Sequence, residues 1–306
     1  MHSLEIVAYA KDMEWEEYLV PGTLDEALEM LEQHRGAARV IAGGTDIVPW
    51  SRSGGKGVKA LVDITRIAGL DLIRLDGGTV KIGPLVTHTE VARSPIVRAR
   101  GMALAEGAFR LGSPQIRNIA TVAGNILNAQ PGADSVIPLL ALDGSVTVRS
   151  SQGERSIPLA ELFTGVGKTT IDSTKEIVTE ISFPALGKGE ASAAMRLAKR
   201  KTLVLPILTV AVVVGVDPGA KTFNKARIAV GPVATTPLRC KAAEEILVGS
   251  PVNEEVIRKA AAAAAGAANP RTSLIRGTTE YRKAMVAVLV ERGIATALER
   301  LEGSNG

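Results

Sequence analysis

Cysteine is nearly missing from this chain. Cys240 stands alone among 306 residues. That excludes an intrachain disulfide and any iron–sulfur cluster ligated by this chain alone, and it fits a reducing compartment. Histidine is scarce too. His2, His34 and His88 are too few and too scattered for a histidine-rich metal centre, so no metal ligands are expected. His34 falls at the end of a predicted helix and His88 in a predicted first turn, both read as solvated or cap-side positions. Aromatic residues make up 3% of the chain, so alanine, valine, leucine and isoleucine must fill the core. No sign of charge dominates: Lys+Arg number 36 against Asp+Glu 32, a net +4. No basic block occurs, so nucleic-acid binding is not expected. The longest apolar run, Leu203 to Val216, is shorter than the roughly 20 residues a bilayer span needs and contains Pro206 and Thr209. It reads as a buried strand, not a membrane span. The first residues lack a basic region followed by an apolar core, so no secretory signal is expected. The expected location is cytoplasmic.

What is present is an ordinary globular composition, 46% hydrophobic and 22% charged, long enough for one large or two to three small domains. Two glycine-bearing segments stand out: Ala42-Gly43-Gly44-Thr45-Asp46 and Thr121-Val122-Ala123-Gly124-Asn125. Each lies in or after an apolar stretch and joins small residues to hydroxyl and amide side chains. Glycine lets the backbone lie close to a ligand, and free N–H groups there can converge on an anion. One such loop alone reads first as a tight turn with no ligand. Two suggest the facing walls of one pyrophosphate site.

The chain divides into three units after an extension at 1–17. In the first, Thr23 and Glu26 have capping-box spacing ahead of a helical face of Leu24, Ala27, Leu28 and Leu31. Strands are predicted at 39–42 and 60–64, giving a small α/β unit over 18–66. The second unit, 67–185, has a strand at 79–83 after the Asp76-Gly77-Gly78 turn, a second capping box at Thr87 and Glu90, and a helix over Met102 to Arg110. An apolar segment at Pro138 to Leu142 follows, then alternating strands at 145–148 and 176–183; strands outnumber helices, so this unit reads as α+β. The third, 186–306, pairs strands around 208–216 and 225–230 across Asp217-Pro218-Gly219. Helices are predicted from Thr236-Pro237, with proline at the first helical position, from Asn253 through the alanines at 260–265, and over 279–291. The alanine stretch is read as a close-packed helix rather than low complexity, and residues 302–306 as frayed.

The order of motifs resembles the FAD-binding medium subunit of molybdenum hydroxylases, the xanthine dehydrogenase and carbon monoxide dehydrogenase family, from about Tyr18 to Leu298. The landmarks run in family order. They are Tyr18-Leu19-Val20-Pro21, the first glycine loop, Leu61-Val62-Asp63-Ile64, Ile82-Gly83-Pro84-Leu85-Val86-Thr87 and Gly112-Ser113-Pro114-Gln115-Ile116-Arg117-Asn118. Then come the second glycine loop, Pro131-Gly132-Ala133-Asp134, Glu176-Ile177-Val178 and Arg276-Gly277-Thr278-Thr279-Glu280-Tyr281-Arg282. The resemblance implies an α+β chain: a two-subdomain, PCMH-like FAD-binding fold followed by a C-terminal small antiparallel sheet with a helix bundle. It also implies a larger oxidoreductase, a dimer of heterotrimers. In it an iron–sulfur small subunit and a molybdopterin large subunit carry those cofactors, while this chain binds FAD and passes electrons to or from an external acceptor. A further iron–sulfur cluster found in this subunit of some relatives needs an inserted cysteine-rich segment, which is lacking here.

Carried over residue by residue, the resemblance places FAD against Val40, Ile41, Ala42, Gly43, Gly44, Thr45, Asp46 and Ile47. Backbone N–H groups of Ala42 to Thr45 would face the pyrophosphate, and Thr45 and Asp46 would bond the ribityl or phosphate region. Thr121, Val122, Ala123, Gly124 and Asn125 would supply the facing wall, with Ala123 standing where the family often has glycine. Asp134 reads as an FAD contact or a helix N-cap. Leu111 and Val178 read as neighbours of the flavin ring or plain core residues. Arg196 stands where relatives often place a lysine near the flavin, keeping the charge with another geometry; Arg200 matches a second basic position. No catalytic acid, base or nucleophile is expected. Two other readings remain open: a stand-alone flavin oxidoreductase with its own substrate site, and a scaffold that kept the fold and lost FAD, which the intact glycines argue against.

Overall fold

A computed structural model describes residues 15–52, 57–200 and 203–303. Most of the expected N-terminal extension, with His2, lies outside the described residues. The first unit is a three-stranded parallel sheet of β1 (Glu17–Leu19), β2 (Ala38–Ile41) and β3 (Ala60–Asp63), in the order β1-β3-β2. Helix α1 (Leu24–Gln33) crosses from β1 to β2 and buries Ala27, Leu28 and Leu31. Thr23 caps it, accepting from Glu26 N–H, while the Glu26 carboxylate accepts from Gly22 N–H. Helix α2 (Ile47–Arg52) follows β2 after a short loop. Every residue of β3 is buried, as befits the central strand of a sheet covered on both faces.

The second unit is a five-stranded antiparallel sheet in the order β4-β5-β10-β6-β7. Its strands are β4 (Ile73–Asp76), β5 (Thr79–Ile82), β6 (Ser145–Ser150), β7 (Gly153–Pro158) and β10 (Ile177–Pro184), and a small hairpin, β8 (Phe163–Gly165) and β9 (Lys168–Thr169), precedes the last. Seven short helices cover it: α3 (His88–Arg93), α4 (Pro95–Arg100), α5 (Met102–Arg110), α6 (Pro114–Arg117), α7 (Val122–Leu127), α8 (Val136–Ala141) and α9 (Leu159–Leu162). The capping box at Thr87 and Glu90 forms in full at α3, and α5 has its expected bounds. The segment at Pro138 to Leu142 belongs to α8 and is wholly buried.

The third unit is a four-stranded antiparallel sheet of β11 (Glu190–Leu197), β12 (Leu208–Asp217), β13 (Thr222–Gly231) and β14 (Leu238–Arg239), backed by α10 (Lys241–Leu247), α11 (Glu254–Ala267) and α12 (Thr279–Gly303). The apolar run has its reason here. Val210, Val212 and Val214 of β12 pack with the helices, while Ala211 and Val213 join the core of the second unit. A strand covered on both faces needs no polar alternation. The run is not strand throughout, since Leu203 and Leu205 are exposed ahead of it.

Three expectations are corrected. No helix starts at Thr236-Pro237: Leu238 and Arg239 pair with Val230 and Ala229, and α10 starts after Cys240. Tertiary pairing outweighs the local proline signal there. Helix α12 runs to Gly303, well past 291 and into residues read as frayed, because Ile294, Ala297 and Leu301 bury against the sheet. And His88 is fully buried, not solvated. His34 does sit at the C-cap of α1.

Candidate functional site

The first glycine loop leaves the end of β2 and turns into α2. Gly44 sits at φ +70°, where a side chain strains the backbone, whereas a Cβ on Gly43 would lie 2.0 Å from the carbonyl oxygen of Ile119. The second loop therefore presses directly on the first. Among the described residues the N–H groups of Gly43, Gly44, Thr45 and Asp46 donate to no protein acceptor. A row of unpaired backbone donors in a cleft is suited to the oxygens of a diphosphate.

The second loop follows α6. Thr121 caps α7, its Oγ1 accepting from Gly124 N–H at 3.1 Å. A Cβ on Gly124 would meet only that oxygen, at 3.2 Å, so its bare face opens on the cleft. Asn125 Oδ1 accepts from Ser135 Oγ at 2.5 Å, which leaves its amide N–H₂ as the group to offer a ligand. A hydrogen bond of 3.0 Å from Asn128 Nδ2 to Asp46 Oδ1 ties the two walls together. Burial raises the Asp46 carboxyl above its usual range.

The walls enclose a cleft of about 1570 Å³. Of the residues expected at the cofactor, Val40, Ile41, Ala42, Gly43, Gly44, Thr45, Asp46, Ile47, Leu111, Thr121, Ala123, Gly124, Asn125, Asp134 and Val178 line it. Val178 stands beside a bulge in the β10–β6 pairing, which turns this part of the strand. Two residues lie elsewhere. Val122 is fully buried in the core of the second unit, with its N–H donating to Val86 O. Arg196 is absent from the lining but bonds two residues of it: its Nε donates to Asp134 Oδ1 at 2.9 Å and an Nη to Val204 O. Both side chains of this ion pair are buried, at 7% and 9% exposure. Asp134 is not a helix cap, since Ser135 holds that place at α8. Burial raises its carboxyl, with Arg196 and then Arg110 pulling the other way. Arg200 donates to Leu203 O from an exposed position.

Several lining residues carried no role in the sequence reading: His88, Asn128, Arg271, Arg276 and Arg282. His88 Nδ1 bonds Ala120 O at 2.8 Å. A carbonyl only accepts, so Nδ1 carries the proton, and Nε2 is left without a partner among the described residues. Burial holds this imidazole down to about 4, aided by the charge of Arg117. The late arginines stood in a recognised motif, Arg276 to Arg282, that named no chemistry. Among the described residues no cluster of three or more His, Cys, Asp or Glu is placed to hold a metal.

A row of backbone donors faces a small-residue wall across a cleft of this size, between a parallel α/β unit and an antiparallel α+β unit, with a sheet-and-helix domain behind. Such a cleft in an α+β chain fits a dinucleotide. Residues 11–186 match the FAD binding domain in molybdopterin dehydrogenase, and residues 193–297 the CO dehydrogenase flavoprotein C-terminal domain. The chain belongs to this family of oxidoreductase flavoprotein subunits, and the cofactor of such a domain is FAD. It is 34% identical to the 6-hydroxypseudooxynicotine dehydrogenase complex subunit alpha of Paenarthrobacter nicotinovorans, over 93% of this chain and 95% of that protein. It is 33% identical to the carbon monoxide dehydrogenase medium chain of Hydrogenophaga pseudoflava, over 93% of this chain and 97% of that one. A solved structure of carbon monoxide dehydrogenase from Hydrogenophaga pseudoflava, which lacks the Mo-pyranopterin moiety of the molybdenum cofactor, superposes with a TM-score of 0.87 at 34% identity. It covers 94% of this chain and 99% of the other.

Proposed function

We propose that this chain is the electron-transfer subunit of a multi-subunit molybdenum hydroxylase. It passes electrons between iron–sulfur clusters of a small partner subunit and an external acceptor, in a cytoplasmic dimer of heterotrimers whose large subunit holds the molybdopterin. FAD, when bound, supplies the redox chemistry, and the protein binds, orients and tunes it. The observation that carries this reading is the unpaired N–H row from Gly43 to Asp46 facing the bare side of Gly124. Those donors hold the diphosphate; Gly124 and Asn125 form the opposite wall; Leu111 and Val178 give apolar contact toward the ring and exclude water. Units 18–66 and 67–185 clasp the cofactor and unit 186–306 closes the cleft behind it.

Neither loop holds a cysteine or histidine to tether the flavin, and His88, the histidine on the cleft lining, is fully buried, so binding is expected to be non-covalent. Acid denaturation of the purified chain is expected to release all its flavin as FAD. Flavin retained by the precipitated protein overturns non-covalent binding, and FMN in the supernatant overturns the diphosphate assignment.

A further inference from the structure

The cleft also has a group of basic lining residues that belongs to neither glycine loop. Arg271, Arg276 and Arg282 line the cleft together with Thr279, where α12 starts. Among the described residues none of the three guanidinium groups pairs with a carboxylate, whereas other arginines of the third unit do, such as Arg239 with Asp143 and Glu244. Arg282 is 3% exposed and donates to the carbonyls of Arg271, Ile207 and Pro232, yet its buried Nε has no partner among the described residues. It is disfavoured as a cation by burial first and then by the neighbouring charge of Arg276. Two like charges have thus been brought together, partly desolvated, with nothing of opposite sign between them. Helix α12, 25 residues long, adds the positive end of its dipole at the same place. Glu280 in its first turn is exposed and forms no ion pair among the described residues. A buried guanidinium satisfied only by backbone carbonyls, beside a half-buried like charge, is a costly arrangement that a bound anion would relieve. The space is there as well: about 1570 Å³ exceeds the roughly 300–1,000 Å³ of an ordinary single-ligand pocket.

We propose that Arg271, Arg276 and the start of α12, supported by Arg282, form an anion subsite for a phosphate ester on the cleft lining, separate from the glycine-loop cradle. The phosphate has two possible sources, the FAD itself or a second nucleotide reaching the flavin side from solution. The proposal rests on the reading that the cleft holds FAD, and flavin content is therefore measured first and independently; a chain without flavin defeats that reading, while anion binding by the arginines is still scored.

The test uses wild type and an Arg271→Gln/Arg276→Gln double variant, leaving the Arg282 clamp intact, with circular dichroism to establish folding. The FAD-loaded chains are titrated calorimetrically with inorganic pyrophosphate and ADP, and the apo chains with FAD and riboflavin. Losing two charge-assisted contacts is expected to weaken phosphate binding at least about tenfold. If loaded wild type binds pyrophosphate or ADP and the variant binds it at least about tenfold more weakly, the subsite serves a second phosphate ester. If the loaded chain binds neither, but the variant loses FAD affinity by that factor while keeping riboflavin affinity, the subsite serves FAD. If the variant matches wild type in both arms, or loses riboflavin as strongly as FAD, the proposal is overturned.

Discussion

Gly43 and Gly124 look alike in sequence and answer different demands. A Cβ on Gly43 runs into the backbone of Ile119, so this position is bare because the two loops touch. A Cβ on Gly124 meets only Thr121 Oγ1 and points into the cleft. Gly43→Ala is therefore expected to lower the melting temperature, because a backbone overlap forces the loops apart at roughly 1–3 kcal/mol, and to lose flavin as a consequence. Gly124→Val is expected to melt near wild type and still come out depleted of FAD; wild-type flavin content in that variant removes the two-wall model. The sequence pointed to both glycines, but only the fold separates one pressed against the neighbouring backbone from one whose face opens on the cleft. His88 makes the same point. A lone histidine in a first turn gave no sign that its ring would bond Ala120 across 32 residues. Its folded value of about 4 lies below the unfolded 6.5, so between these values the unfolded chain binds more protons, and stability falls as pH drops through the window. The full effect is on the order of 3 kcal/mol. Urea midpoints measured from pH 7 to pH 4 should fall more steeply for wild type than for His88→Asn, which keeps a donor for Ala120 O but cannot protonate. Parallel curves would show that His88 does not stay neutral in the folded chain.

Between elements, the bond from Asn128 to Asp46 joins the C-cap of α7 to the loop entering α2. Both residues line the cleft, so the bond couples its two walls directly. In a double-mutant cycle of Asp46→Ala and Asn128→Ala, a coupling of about 0.5–1.5 kcal/mol in FAD affinity is expected. Strict additivity would mean that the walls bind independently. Elements with local signals were legible from sequence: the caps at Thr23, Thr87 and Asn253 each start the helix expected of them. Elements whose signals are tertiary were not. Strand β7 is exposed at five of its six positions and exists by pairing with β6, and β14 replaces a helix start because β13 offers it an edge. The Arg196 position carried a flavin-side expectation from the family resemblance alone. Its partner Asp134 lies 62 residues away in the chain, and only the folded arrangement shows the two charges engaged with each other.

At the scale of the molecule, the third unit is locked to the second by side chains that reach across. Arg300 of α12 bonds Glu106 of α5, whose carboxylate also accepts from Ala194 N–H of β11, and Asp143 receives both Arg227 and Arg239. The second and third units are thus tied by ion pairs beside the cleft, whose lining includes Asn269, Pro270, Arg271, Arg276, Thr279 and Arg282. Such a frame suits a cofactor, and the one carboxyl in its glycine loops, Asp46, is engaged as the acceptor of Asn128 Nδ2 across the two walls rather than paired with a base or nucleophile among the described residues. His88 is buried and hydrogen-bonded to the backbone, and Cys240, pushed up to about 12 by burial, stays a thiol. The isolated chain is therefore expected to bind FAD and to exchange electrons with artificial donors or acceptors, yet to leave organic substrates untouched. The deciding measurement compares substrate-driven flavin reduction in the native assembly and in this chain alone, at equal flavin concentration. Reduction in the assembly only, with iron, sulfide and molybdenum found on co-purifying chains, is the expected result. Equal rates in the two preparations would mean that the cleft itself takes the organic substrate, and the chain would be a self-sufficient flavin oxidoreductase instead.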